Sequence, residues 1–200
     1  MITAWFRKAF RWILEPVTAL LAKLGVSANA LTLFGSLLNV GVAVIIATGR
    51  LQLGGILLVI AAGFDAADGT LARRTNHATH FGAFLDSVMD RVSESAVLLG
   101  IAWWTMAQGN QVATILTYVS IVGSLLVSYT RARAEGIGAE CKVGLFTRVE
   151  RCVLIVLGLI SKLVVPLVWV LAIGTTLTVI HRMWHVWTTV GKAESAAIGQ

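Results

Sequence analysis

Asp65 and Asp68 stand three residues apart, Asp86 and Asp90 four apart, and no other aspartate occurs in the 200-residue chain. On a helix, residues three or four apart share a face. Each pair therefore presents two carboxylates one turn apart. The connection between the two stretches, around residues 75–80, is short, which makes the helices antiparallel neighbours and lets all four acids converge on one point. Carboxylates that close repel one another unless a cation sits among them. Hard oxygen ligands in this number suit Mg²⁺ or Mn²⁺, with two ions sharing bridging carboxylates. A metal pair about 4 Å apart suits phosphoryl chemistry. The neighbours agree. Gly69 follows Asp68 and admits a substrate close to the backbone, and Gly82 permits close helix packing. Arg73, one turn beyond Gly69, has a guanidinium suited to a phosphate. The competing reading is a divalent-cation membrane carrier, since intramembrane acids also form ion sites. Transport sites, however, lie near the bilayer midplane, whereas these acids fall at helix ends beside arginines.

The elements that must hold these acids are oily. The chain is 57% hydrophobic and 13% charged, where a soluble domain would be about one-quarter charged. This implies an all-α integral membrane protein with a single membrane domain over residues 1–200. A span needs about 20 apolar residues, and six candidates fit. They run from about Ala30 to Thr48, Leu51 through Phe64 into the aspartate stretch, Phe81 to Trp103–Trp104, Val112 to Tyr129, Val149 to Leu159, and Val164 to Ile180. Together they make a six-helix bundle over residues 30–190. Residues 1–25 have no uninterrupted apolar core, because Arg7, Lys8, Arg11, Glu15 and Lys23 punctuate them. They read as an amphipathic juxtamembrane helix with Trp5, Phe6, Phe10, Trp12 and Ile13 on its oily side.

Charge then sets the orientation. With both termini, the second-to-third turn and the fourth-to-fifth connection on one side, that side collects fourteen of the sixteen basic residues, and only Arg50 and Lys162 fall opposite. This is the positive-inside signature. It places the termini and the aspartates on the cytoplasmic face of the cell membrane, and it turns the net charge of +6 into a membrane property rather than a nucleic-acid footprint. Cys141 and Cys152, with no matching histidine pattern, read as free structural thiols. His77 and His80 read as solvated loop residues, and Trp103, Trp104, Trp169, Trp184 and Trp187 as interface-belt residues.

The string Asp65-x-x-Asp68-Gly69-x-x-Ala72-Arg73, then eight residues, then Gly82-x-x-x-Asp86-x-x-x-Asp90 resembles the signature of the CDP-alcohol phosphotransferases. Eight fixed positions at set spacing are highly specific, and the whole chain is compatible with that family's six-helix fold and N-terminal surface helix. The resemblance implies an enzyme that displaces CMP from CDP-diacylglycerol with an alcohol, and a homodimer. It implies that Asp65, Asp68, Asp86 and Asp90 ligate two metal ions and that Asp90 also takes the proton of the attacking hydroxyl. It places Gly69, Arg73 and Thr79 against the CDP moiety. The first helix contributes Asn29, Ala30, Leu31 and Thr32 as nucleotide contacts, although the proline that usually opens this stretch is absent from Ser27-Ala28-Asn29-Ala30-Leu31-Thr32.

The acceptor is read from the remaining basic residues of the same side. Some of these are positive-inside anchors, but Arg131 and Arg133 close the fourth helix and Arg151 enters the fifth. A guanidinium-rich cavity suits a second phosphate, which favours a phosphorylated polyol over serine or choline. The Arg-Ala-Arg-Ala-Glu stretch, a glycine-containing loop and Glu150-Arg151 are similar to the branch of the family that uses inositol 1-phosphate. By that resemblance Arg131, Arg133, Arg151 and Arg182 hold the acceptor phosphate. Glycerol 3-phosphate is the alternative acceptor.

Overall fold

The computed structural model describes residues 16, 18–19, 22–74 and 79–191. The hydrophobic stretches become six helices: α1 Ala28–Ala47, α2 Leu51–Arg74, α3 His80–Ala107, α4 Gln111–Gly136, α5 Arg148–Ile160 and α6 Val164–Val186. A π-helical turn, Trp187–Gly191, follows. No strand occurs among the described residues. Most of the amphipathic helix expected over residues 1–25, including Trp5, Phe6, Phe10, Trp12 and Ile13, lies outside the described residues. His77 does as well, and His80 is the exposed first residue of α3 rather than a loop residue.

Local chemistry starts three of the helices. Ser27, Thr79 and Asn110 each accept a backbone N–H three residues on, at 3.2 Å from Ala30, 2.9 Å from Gly82 and 3.0 Å from Ala113. Such caps satisfy amides that a helix N-terminus otherwise leaves unpaired. Gly49 (φ +86°) and Gly109 (φ +70°) turn the chain after α1 and α3 in a conformation that a side chain would disfavour.

Four of the six helices are long and apolar enough to cross a membrane: α1, α2 as far as Leu71, α4, and α6 continued to Gly191. The other two fall short for separate reasons. Helix α3 carries Asp86, Asp90, Arg91 and Glu94 within its first fifteen residues, and α5 has only 13 residues, about 20 Å at 1.5 Å per residue.

Helix α1 packs on α2 and α3, α4 on α3 and α6, and α5 on α2 and α6. Their shared core holds Val42, Ile46, Leu58, Leu98, Ile101, Ile155, Leu159, Val168 and Leu171. The helix contacts are backbone-close. A Cβ on Gly100 would strike the Ala43 backbone, and one on Gly123 would strike Thr175, so α1 meets α3 and α4 meets α6 through small residues, as membrane helices do. Outward-facing Leu37, Val44, Ile56, Ile60, Ile115, Val122 and Leu177 are exposed, as an apolar solvent requires. Since successive helices alternate in direction, the starts of α1, α3 and α5 and the ends of α2, α4 and α6 share one end of the bundle.

Candidate active site

That end gathers the acids. Helix α2 runs without a break through Asp65 and Asp68, and Asp86 and Asp90 follow on α3. Asp65 lies against α1, where a Cβ on Gly35 would stand 3.0 Å from its Oδ1. Asp68 is buried at 4% exposure and doubly fixed. The Thr32 hydroxyl donates to its Oδ2 at 2.7 Å, and the Gly69 amide donates to its Oδ1 at 2.5 Å. Asp86 is near enough to Asp65, Asp68 and Asp90 for its charge to act on all three. The two helical pairs thus lie within electrostatic reach of one another.

A residue that carried no site role in the sequence reading joins them. Arg148, the first residue of α5, donates from Nη2 to Asp65 Oδ2 at 2.7 Å, and its Nη1 lies 2.8 Å from Asp90 Oδ1. One guanidinium therefore spans α2 and α3. Arg91 stands 3.9 Å from Asp90 and is otherwise turned back to the carbonyl and hydroxyl of Ser87. Four carboxylates facing two guanidiniums leave two negative charges uncompensated when all four acids are ionised, among the described residues. That deficit and an all-oxygen donor set fit a hard divalent cation. No three acidic, histidine or cysteine groups among the described residues are placed to hold a metal ion as they stand, the Arg148 guanidinium lying between Asp65 and Asp90.

The residues expected to contact the nucleotide surround this cluster unevenly. Thr32 reaches it directly through Asp68. The Asn29 side-chain oxygen faces Gly82, where a Cβ would stand 3.1 Å from it and equally far from the Thr79 hydroxyl. Thr79 serves as the cap of α3. Leu31 is buried against Ala67 and Leu71, a packing position, and Ala30 is exposed. Gly69 is half-buried beside Asp68. The side chain of Arg73 lies outside the described residues.

The four arginines expected at the acceptor phosphate divide into two kinds. Arg131 and Arg133 are exposed at the end of α4, Arg131 bonding Glu135 at 2.8 Å. Arg151 and Arg182 are buried, at 1% and 3% exposure. Arg151 makes a two-pronged pair with Glu94 of α3, at 2.6 and 2.7 Å, and donates to the Phe146 carbonyl at 2.9 Å. Arg182 donates to the carbonyls of Val143, at 2.9 Å, and Val127. These two thus tie the segment between α4 and α5 to the bundle, helped by the Phe146 amide donating to Thr178 at 3.2 Å. Glu94 and Arg148 are the site residues that sequence reading missed. Each is four residues from a residue already singled out (Asp90) or three (Arg151), and that helical spacing was the available signal. Cys141 and Cys152 are free, Cys141 being buried. A cavity of about 410 Å³ beneath Glu140, Lys142 and His185 contains none of the aspartates and is a surface feature of the C-terminal end of α6.

A profile of the CDP-alcohol phosphatidyltransferase family matches residues 25–191. The chain is 34% identical over 197 residues to a phosphatidylinositol phosphate synthase of Mycobacteroides abscessus, covering 94% of this chain and 90% of the relative. It is 38% identical over 186 residues to the synthase of the same name from Corynebacterium glutamicum, covering 88% and 85%. Crystal structures of the Mycobacterium tuberculosis phosphatidylinositol phosphate synthase superpose with a TM-score of 0.85 at 29% identity. The form with CDP-DAG bound matches 90% of this chain and 96% of that one. The form in complex with manganese and citrate matches 89% and 90%.

Proposed function

The chain belongs to the CDP-alcohol phosphatidyltransferase family and is accordingly a CMP-releasing transferase, and from that premise we propose that it moves the phosphatidyl group of CDP-diacylglycerol to inositol 1-phosphate. The observation that supports the reading is Arg148 of α5 bridging Asp65 of α2 and Asp90 of α3, with Asp68 and Asp86 in electrostatic reach, at the bundle end where α4 and α6 also place arginines. Relatives named for the same reaction over nearly the whole chain support the acceptor.

In this reading the acceptor hydroxyl oxygen attacks the phosphorus that carries diacylglycerol. A new P–O bond forms to the acceptor, the bond to the CMP oxygen breaks, and the hydroxyl proton passes to Asp90. Asp65, Asp68, Asp86 and Asp90 would hold two divalent ions, Mg²⁺ or Mn²⁺, which when bound neutralise charge on the diphosphate. Thr32 and the Gly69 amide hold Asp68 in one rotamer. Gly69, lacking a side chain, leaves room for the diphosphate beside it, and Asn29 and Arg73 flank that space. Arg131 and Arg133 offer exposed positive charge to the acceptor phosphate. Buried Arg151 and Arg182 shape the acceptor wall by holding residues 143–146 against α6. All six helices cross the membrane, α3 and α5 included, both of which turn apolar side chains outward. The basic end faces the cytoplasm, and the protein acts as a homodimer.

The test is CMP release by purified protein in detergent with CDP-diacylglycerol and Mg²⁺, with inositol 1-phosphate, glycerol 3-phosphate, free inositol and serine in parallel. Release with inositol 1-phosphate alone is expected. Release with glycerol 3-phosphate instead keeps the aspartate chemistry and replaces the acceptor. No release from folded protein with any of the four overturns the reading.

A further inference from the structure

The Arg148 guanidinium lies where the cluster most needs positive charge. It belongs to α5, yet its two terminal nitrogens reach one oxygen of Asp65 on α2 and one of Asp90 on α3, at 2.7 and 2.8 Å. The remaining donor, Nε, is buried without a hydrogen-bond partner. Arg151, one turn further along the same helix, differs. Its Nε, Nη1 and Nη2 all donate, to Glu94 and the Phe146 carbonyl, and its side chain is 1% exposed against 34% for Arg148. A fully satisfied, fully buried guanidinium is a fixed part of a fold, since an unmet buried donor is costly. Arg148 is neither fully satisfied nor fully buried. The oxygens that it engages belong to two of the four acids proposed as metal ligands, so its contacts and metal coordination draw on the same carboxylates.

We infer that Arg148 is an exchangeable counter-cation. It holds Asp65 and Asp90 together across α2 and α3 while no metal is bound, and a divalent ion displaces it on entering. The inference rests on the reading of the four aspartates as metal ligands. It makes Arg148 a positioning residue that keeps the acids from repelling one another open, and it makes metal binding weaker than the acids alone would allow. Removing the guanidinium charge therefore has opposite effects on two properties: the metal-free protein loses stability, and its affinity for metal rises. A fixed structural arginine would lose stability to the same extent with and without metal, and its removal would not tighten binding.

The experiment is Mn²⁺ titration of purified wild-type, Arg148→Gln, Asp65→Asn and Asp90→Asn proteins in detergent without lipid substrate. Free ion is followed by electron paramagnetic resonance, with thermal unfolding measured at zero and saturating Mn²⁺. Arg148→Gln is expected to bind Mn²⁺ roughly two- to fivefold more tightly, the range expected for releasing one partly exposed charge pair. It is expected to unfold earlier than wild type only when Mn²⁺ is absent. Unchanged or weaker binding, or an equal loss of stability in both conditions, overturns the inference while weak binding by the two aspartate variants upholds the metal site. Wild-type-like binding by both aspartate variants overturns the metal site itself and the inference with it. A measurement on wild-type protein covers the case in which Arg148→Gln does not fold. An arginine-selective dicarbonyl should modify Arg148, as mapped by peptide mass spectrometry, faster with Mn²⁺ present than without. An equal or slower rate overturns the inference.

Discussion

At the residue scale the acids do different jobs according to what touches them. Asp68 is fixed by Thr32 and the Gly69 amide, whereas Asp90 meets charges only, Arg148 at 2.8 Å and Arg91 at 3.9 Å. That leaves Asp90 the better placed of the two to receive a proton from a substrate hydroxyl. Asp90→Asn keeps shape and loses basicity, so the variant should unfold near wild type and release CMP slower by roughly 10²–10⁴-fold, the usual worth of a positioned base. Wild-type turnover would remove the assignment. Arg151 tests a different property. Its pair with Glu94 is desolvated on both sides, at 1% and 7% side-chain exposure. Removing one partner strands a buried charge, so Glu94→Ala should cost about 3–5 kcal/mol of stability, read as a fall in unfolding temperature. Replacing both partners by well-packed apolar residues should restore most of the loss while the segment around Phe146 stays loose.

At the element scale, small residues set how closely the helices that carry the acids can approach. Gly100 meets the Ala43 backbone, and Thr32 and Gly35, three and two turns earlier on α1, meet Asp68 and Asp65. A side chain at Gly100 must push α3 away from α1, and the displacement carries to Asp86 and Asp90 at the other end of α3 and to the α1 residues that touch Asp65 and Asp68. Gly100→Leu should therefore destabilise by overpacking, typically by about 1–3 kcal/mol, and lower CMP release without altering any site residue. Gly41, with nothing near a built Cβ, supplies the control: Gly41→Ala should leave both stability and turnover close to wild type. The short α5 follows the same logic. Its first turn must deliver Arg148 and Arg151 to α2 and α3, and Gln52 at the start of α2 bonds the Ile160 carbonyl at its other end, at 3.1 Å.

At the scale of the whole molecule, the six described helices alternate in direction, which brings the start of α1 and the end of α6 to one end of the bundle. Reporter fusions at the N- and C-termini should both report the cytoplasm, and a reporter inserted at Arg50 the opposite side. Opposite reports from the two termini would mean that α3 or α5 does not cross. Chelation offers a second test at this scale: EDTA should abolish CMP release and excess Mg²⁺ or Mn²⁺ restore it, because four carboxylates with two described counter-charges need added positive charge to bind a diphosphate. Persistent activity after thorough chelation would remove metal from the mechanism.

The helices, their order and the acid pairs were legible in the sequence because each depends on local rules. Apolar runs become helices in an apolar solvent that leaves no other way to satisfy the backbone, and spacings of three and four fix a shared face. The bounds of α5 and α6, Arg148–Ile160 and Val164–Val186, fall within a few residues of the expected segments apart from the C-terminal extension of α6. What only the tertiary structure decided is which charges meet across distant parts of the chain. Arg148 lies 83 residues from Asp65, and Arg151 lies 57 from Glu94. Long guanidinium side chains reach partners on any helix that packs nearby, and that choice is made by the small-residue contacts that set helix neighbours. Composition marked these arginines as basic residues of one membrane face. Packing made Arg148 a bridge between the acids and Arg151 a buried strut.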